Sequence, residues 1–326
     1  MSSSSEVALE RQKPKSVGFI GLGNMGWWMA LNLRRALPTS TKLCIYDIVP
    51  TILENFEDSA TTHDLGEVVI CKDTREVAAN SDITISIVPE GKQVREVFFD
   101  ENSGILTGPL GDKTFVDCST IDPATSRAVA EAISKNSPSA CFYDAPVSGG
   151  VHGAEAGTLS FLAGASDGDA HFQQYVKPIL QLMGKNIFCI GAQSQGLVAK
   201  LCNNYLSGIC AIATAEAMNI GMRHGIDKHL LSEVFKKSTG GNWQNANMNP
   251  VPGVCPNAVT SKGYKGGFKV QMMVKDFNLA LATAKEANAK LALGDSALTA
   301  YKATSEDPRC KDLDNRVVYR WLGGKE

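Results

Sequence analysis

The chain has 326 residues, enough for about two domains of ordinary size. Its 32 Lys+Arg nearly cancel 34 Asp+Glu, leaving a formal charge of −2; this excludes a protein whose main work is gripping nucleic acid or an anionic membrane through a concentrated positive field. Apolar residues at 44% and charged residues at 20% describe a globular chain and exclude a disordered one.

Residues 1–14 read as a flexible leader. It is serine-rich and basic at Arg11 and Lys13, but it lacks a secretory apolar core, and Glu6 and Glu10 break the acid-poor pattern of a mitochondrial presequence. From Lys15 to about Gly191, short apolar runs alternate with stretches of helical length. Strands are expected at Val17–Ile20, Leu43–Tyr46, Ile83–Val88, Thr114–Asp117, Cys141–Tyr143, Leu159–Ala163 and Ile187–Ile190, and helices at Met25–Ala36, Pro123–Ser134 and Gly168–Leu182 among others. Such alternation predicts βαβ units and a mainly parallel sheet, here an α/β domain over residues 15–193.

After Gln193 the texture changes to helices only: Leu197–His224, Lys228–Lys237, Val270–Ala289 and Asp295–Ser305, with a loop rich in Pro, Gly and Asn across residues 240–267. This predicts an all-helical domain over residues 194–326. The apolar run Leu206–Met222 is broken by Ser207, Thr214, Glu216 and Asn219, so it reads as a buried helix and not a membrane span. Nine cysteines occur without a C-x-x-C pair and five histidines stand apart, which speaks against a disulfide framework and against a metal site.

Chemistry is concentrated in four places. Val17–Ile20 runs into Gly21-Leu22-Gly23-Asn24-Met25-Gly26 and then a helix. Gly21 permits the tight turn, Gly23 lets the backbone approach a pyrophosphate, and Gly26 lets helix and strand pack closely. Asp47 follows about 20 residues later at the end of the second strand, where a carboxylate accepts hydrogen bonds from a ribose diol and repels a 2′-phosphate. A Rossmann-type doubly wound sheet binding NAD rather than NADP is the reading.

The second place, Asp117 to Pro123, ends a strand in the hydroxyls Ser119 and Thr120, while Asp122 before Pro123 suits a helix N-cap. In the third, Asp144 to Gly150, the successive amides of Ser148, Gly149 and Gly150 can converge on an anion or form a plain turn; His152 beyond them reads as a surface or turn residue. The fourth holds Lys200 and Asn204, one helical turn apart on one face, with no other charge within three residues of Lys200. A lone lysine in an apolar helix is either functional or snorkels its ammonium to water.

In this order, together with Gly157-Thr158-Leu159, Ala215 to Asn219, Asn249 to Val254, Gly266-Gly267-Phe268 and Lys275-Asp276, the chain resembles the β-hydroxyacid dehydrogenase family from about Val17 to Leu279. Asn249 to Val254 and the preceding Gly241-Asn242-Trp243 are similar to the branch acting on 3-hydroxyisobutyrate. The resemblance implies a catalytic Lys200 assisted by Asn204, and a carboxylate held by Ser119, Ser148, Gly149 and Gly150. Trp243 and Phe268 would line the substrate pocket. Val88, Pro89, Gln93 and Thr120 would lie along the NAD, beside the Gly21–Gly26 turn (Leu22, Asn24 and Met25 included) and Asp47, with Lys275 near the nicotinamide ribose.

The implied reaction is oxidation of (S)-3-hydroxyisobutyrate to methylmalonate semialdehyde, a step of valine catabolism. Another small 3-hydroxy acid (serine, 3-hydroxypropionate, glycerate) is the alternative, and a non-catalytic NAD-binding protein a remoter one. General base work by Lys200 needs burial to bring its pKa from about 10.4 toward roughly 7–8. The helical second half, with its long apolar first helix, suggests a homo-oligomer, dimer or tetramer, acting on a small molecule, and charge and spacing predict no nucleic acid, membrane or metal partner. The family implies the mitochondrial matrix, with the cytoplasm as the alternative. The chain departs from the pattern at Ser194, where a glycine is frequent, and after Gly294.

Overall fold

A computed structural model describes residues 14–326. The leader expected over residues 1–14 lies outside the described residues except for Pro14. The chain forms two compact units, one ending at Lys200 and the other starting at Leu201.

The first unit alternates strand and helix: β1 (Ser16–Ile20), α1 (Gly26–Ala36), β2 (Lys42–Tyr46), α2 (Pro50–Thr62), β3 (Val68–Ile70), α3 (Thr74–Ala79), β4 (Ile83–Ser86), α4 (Gly91–Phe99), β5 (Thr114–Asp117), α5 (Pro123–Asn136) and β6 (Cys141–Asp144). All six strands are parallel, in the order β3-β2-β1-β4-β5-β6. The order reverses between β1 and β4, the switch point where doubly wound sheets bind ligands. Helices cover both faces, so β4 and β5 are buried on every residue. Met29, Leu33 and Phe56 pack on one face and Val94, Phe98 and Val129 on the other. Each such side chain contributes about 1.5–3 kcal/mol by leaving water.

A second sheet follows: β7 (Val147–Ser148), α6 (Gly150–Glu155), β8 (Leu159–Ala163), α7 (Lys177–Leu180) and β9 (Gly184–Cys189), with β7 antiparallel and β9 parallel to β8. The expected single sheet is therefore two. β3 and β7 escape a reading by alternation because they hold only three and two residues. The helix expected over Gly168–Leu182 runs without a break over residues 170–180, with a π-turn at Phe172–Val176 just ahead of Pro178, which brings no N–H to the ladder. The strand expected to reach Val88 stops at Ser86, because the Val88 N–H turns to the Ser119 hydroxyl at 2.9 Å. Arg34 is fully buried, and its guanidinium donates to the carbonyls of Leu37, Pro38, Thr41 and Glu67, closing the end of α1.

The chain leaves the first unit along α8 (Gln195–Arg223) and continues through α9 (Lys228–Lys237), α10 (Trp243–Asn247), α11 (Val270–Glu286), α12 (Gly294–Glu306) and α13 (Val318–Trp321). The expected 240–267 loop thus contains α10 and a 3-10 turn at Val259–Lys262. α11 ends three residues short of Ala289 because Asn288 takes a left-handed φ of 53°. Its core joins Met218, Phe277, Tyr301 and Tyr319. Among the described residues no helix is long and apolar enough to cross a membrane.

The Phe277 ring lies against Gly208 of α8, and the Tyr301 hydroxyl donates to the Gly208 carbonyl at 2.9 Å. A Cβ at position 208 would collide with that ring. Gly208→Ala is expected to cost about 1–3 kcal/mol by overpacking, read as a lowered Tm; an unchanged Tm would contradict this packing.

Candidate active site

The glycine turn is built as its motif requires. The Gly21 N–H donates to the Tyr46 carbonyl at 2.9 Å. Gly21 has a φ of 93°, and a side chain there would strike the Ile87 carbonyl. A Cβ on Gly26 would strike the Gly21 carbonyl in turn, so helix and turn touch backbone to backbone. At Gly23 nothing lies within 4 Å of an added Cβ. Leu22 is buried, Gly23 and Asn24 are exposed, and Met25 begins α1 without a side-chain cap or an acid in the first turn. Exposed backbone beneath an uncapped helix N-terminus fits a dinucleotide pyrophosphate.

Asp47 turns out to do two jobs. Its carboxylate accepts from the Leu22 N–H at 2.6 Å and from the Val49 N–H at 2.9 Å. It therefore locks the glycine turn, and each oxygen retains a lone pair for a ribose hydroxyl.

At the end of β5 the Asp117 carboxylate is wholly buried. Ser86 and Ser119 both donate their hydroxyls to its Oδ1, at 2.8 and 2.7 Å, and the Ser119 hydroxyl accepts from the Val88 N–H. Burial pushes the Asp117 carboxyl above its ordinary pKa. In this arrangement the Ser119 proton is given to Asp117, and the bridge ties the Val88 N–H to Ser119. Asp122 caps α5 through the Thr125 N–H at 2.7 Å, beside Pro123. On α4 the Gln93 Oε1 is buried and has no hydrogen-bond partner among the described residues. A buried acceptor of this kind suits a donor brought by a bound molecule.

Just after β7, Gly149 and Gly150 follow Ser148 with φ of 136° and 64°, and both are exposed. Positive φ at both positions restricts them to glycine and leaves the amides at the surface. His152 is exposed. Asp144 is fully buried and accepts from the N–H groups of Ser194 and Leu197 at 2.7 and 3.0 Å. Burial raises its carboxyl to about 6 against those hydrogen bonds. Ser194 has a φ of 68°, which explains why a glycine is frequent there.

α8 carries both residues of the fourth motif. Lys200 is 7% exposed and Asn204 is 8% exposed, one turn apart. In the second unit the Asn204 Nδ2 donates to Asp276 Oδ2 at 2.5 Å, and the Lys275 ammonium lies 3.3 Å from Asp276 Oδ1. Asp276 is 2% exposed. It thus orients Asn204 and holds Lys275. The pairing of Lys275-Asp276 in sequence hinted at this, but nothing in the spacing linked it to Asn204. Asp117 and Asp144 were likewise legible only as strand ends. Trp243 is 60% exposed at the start of α10, whereas Phe268 is half-buried, its N–H donated to Asp314 at 3.0 Å.

Residues 16–191 match the model described as the NAD binding domain of 6-phosphogluconate dehydrogenase. Residues 194–322 match the one described as NAD-binding of NADP-dependent 3-hydroxyisobutyrate dehydrogenase. The chain is 40% identical over 312 residues to 3-hydroxyisobutyrate dehydrogenase of Pseudomonas aeruginosa, covering 95% of this chain and 99% of that protein. It is 36% identical over 288 residues to NAD-dependent L-serine dehydrogenase of the same organism, with 88% and 91% covered. The solved 3-hydroxyisobutyrate dehydrogenase of Mycobacterium tuberculosis with L-serine superposes with a TM-score of 0.81 at 31% identity, covering 94% of this chain and 98% of that one.

The glycine turn and these matches define an oxidoreductase that uses NAD. The chain belongs to the β-hydroxyacid dehydrogenase family, among the 3-hydroxyisobutyrate dehydrogenases. The second family model is described by NADP; Asp47 is the feature of this chain that argues for NAD.

Two expectations follow. Asp47→Ala should narrow the preference for NAD over NADP in kcat/KM at least tenfold; an unchanged ratio would remove Asp47 from cofactor choice. The second concerns Asp144, whose pKa of about 6 in the fold exceeds the unfolded value of about 4. Its contribution to stability is therefore complete below about pH 4 and is lost as pH rises through about 6. Between those limits the Tm of the native chain should fall with pH relative to that of Asp144→Asn, and parallel Tm curves would contradict the shift.

Proposed function

We propose that the chain oxidises (S)-3-hydroxyisobutyrate to methylmalonate semialdehyde, as a step of valine breakdown. The observation that carries the reading is the burial of Lys200 on α8, one turn from Asn204, whose amide is in turn held by Asp276. A buried lysine in an apolar stretch is costly unless its amine has work to do.

The residues divide the labour as follows. The Gly21–Gly26 turn, with Leu22, Gly23, Asn24 and Met25, receives the pyrophosphate, and Asp47 the adenosine ribose. Val88, Pro89, Gln93 and Thr120 flank the dinucleotide, the Gln93 Oε1 accepting from it, and Lys275 serves its nicotinamide end. When bound, NAD supplies the hydride acceptor. The amides of Ser148 and of the exposed Gly149 and Gly150 hold the substrate carboxylate. Ser119 acts beside them by fixing the Val88 turn, because its proton is engaged by Asp117. Trp243 and Phe268 border the side of the substrate that carries its methyl group. Neutral Lys200 accepts the hydroxyl proton as hydride leaves carbon, and Asn204 orients that hydroxyl. In the reverse direction the ammonium polarises the carbonyl and returns the proton.

In this reading residues 15–193 form the dinucleotide-binding domain and residues 194–326 the helical substrate and oligomerisation domain. Leu206 and Ile220 of α8 and Leu230 and Val234 of α9 are exposed at 63%, 62%, 61% and 48%, which supports a homo-oligomer. A mitochondrial location rests on relatives such as the Mus musculus protein, named mitochondrial and 38% identical over 310 residues.

L-serine is the second reading, favoured by the P. aeruginosa relative and by the serine named with the M. tuberculosis structure. The two substrates differ by a methyl against an ammonium: the methyl is worth about 1–3 kcal/mol in an apolar pocket, and an ammonium without a partner there costs more. We expect kcat/KM for 3-hydroxyisobutyrate to exceed that for L-serine at least tenfold; the reverse order would establish the serine reading. Lys200→Ala should lower kcat by about 10²–10⁴-fold with NAD affinity within twofold. Near-native turnover would take Lys200 out of the mechanism.

A further inference from the structure

The side chain that fixes the first turn of α8 lies 56 positions upstream of Lys200 in the sequence, at the end of β6. Helices of this kind are usually closed by a residue just before them, but α8 begins after Ser194, whose own hydroxyl is engaged by Arg127 at 3.3 Å. The N–H groups of Ser194 and Leu197 instead converge on the two oxygens of Asp144, one on each. Two glycines make room for this. A Cβ on Gly164 would collide with the Asp144 carboxylate, and one on Gly196 would collide with the Leu162 carbonyl and lie 2.8 Å from Asp144 Oδ2. The Gly164 N–H also donates to the Asp144 carbonyl at 2.8 Å. The carboxylate is thus boxed in by backbone on several sides, and so is the turn it holds.

We propose that Asp144 is a positioning residue of the reaction: by clamping Ser194 and Leu197 it sets the phase and axial height of α8, and so where Lys200, one turn beyond Leu197, presents its amine. The inference rests on the proposed role of Lys200. It also explains why the strained φ of Ser194 is kept, since the left-handed turn aims the Ser194 N–H at the carboxylate. Asp144 pairs in register with Asp117. Adjacent strand ends thus hold the two loops that matter, Asp117 gripping Ser119 and Asp144 gripping α8. A helix shifted by a fraction of an ångström at its first turn displaces a side chain one turn on by a similar amount, and misplacement on the scale of 1 Å costs about 10²-fold in rate.

The test is a double-mutant cycle on the full chain with NAD. Asp144→Asn keeps the shape but sets an amide N–H against one of the two donors. Its kcat should fall at least tenfold, with the NAD dissociation constant within twofold. In a Lys200→Ala background the same substitution should change the residual rate less than twofold, since there is no amine left to misplace. An equal factor in both backgrounds, or a folded Asp144→Asn with native kcat, overturns the proposal. If Asp144→Asn does not fold, leucic acid placed at position 197 replaces that N–H by an ester oxygen and deletes one bond of the clamp. A loss of threefold or more that vanishes in Lys200→Ala then supports the proposal, and equal losses or none overturn it. Native turnover in Lys200→Ala alone is a separate outcome and sinks the reading of Lys200 itself.

Discussion

Three parallel strands end in an aspartate that ties down the segment leaving the sheet, and the site depends on this one constraint. Asp47 after β2 holds the glycine turn, Asp117 of β5 holds Ser119 and through it Val88, and Asp144 of β6 holds the start of α8. A parallel sheet covered on both faces leaves the polar groups at its carboxyl end with little water, so each N–H there must find a partner in the protein. A carboxylate is the strongest acceptor available and serves two donors at once. The cost is visible at Asp117 and Asp144, whose acidity burial weakens.

This arrangement separates rigidity from chemistry. The aspartates are engaged with backbone and with serine hydroxyls, while the groups left for a ligand are those they hold in place. Among the described residues these are the open backbone at Gly23, the exposed glycines Gly149 and Gly150 and the Gln93 Oε1, which has no hydrogen-bond partner. Asp276 repeats the device on α11, taking the Asn204 amide on one oxygen and lying beside the Lys275 ammonium with the other. Preorganisation of this sort is where a dehydrogenase gains rate, because hydride and proton must leave neighbouring atoms in one geometry.

Much of this was legible in the sequence because it rests on short-range rules. The Gly21–Gly26 turn, the interval to Asp47, the Asp122-Pro123 start of α5 and the Lys200–Asn204 spacing are each decided within a turn or a strand. What escaped is what long-range pairing decides. Nothing near Asp144 announces that it closes a helix 50 residues later, nor does Asp276 announce Asn204, since hydrogen bonds across such separations have no period. Ser119 illustrates the same limit: the family resemblance implied its carboxylate contact, and nothing local announced that its hydroxyl donates to Asp117. The short strands β3 and β7 were invisible because two or three residues carry no alternation, and the π-turn ahead of Pro178 has no signature in apolar spacing.

The most direct measure of the central claim is the pH dependence of kcat/KM for 3-hydroxyisobutyrate oxidation, compared between the native chain and Lys200→Ala. The account predicts a native rate that climbs with pH as one group loses its proton, and a variant in which that climb is gone. The same rising limb in both proteins would contradict it.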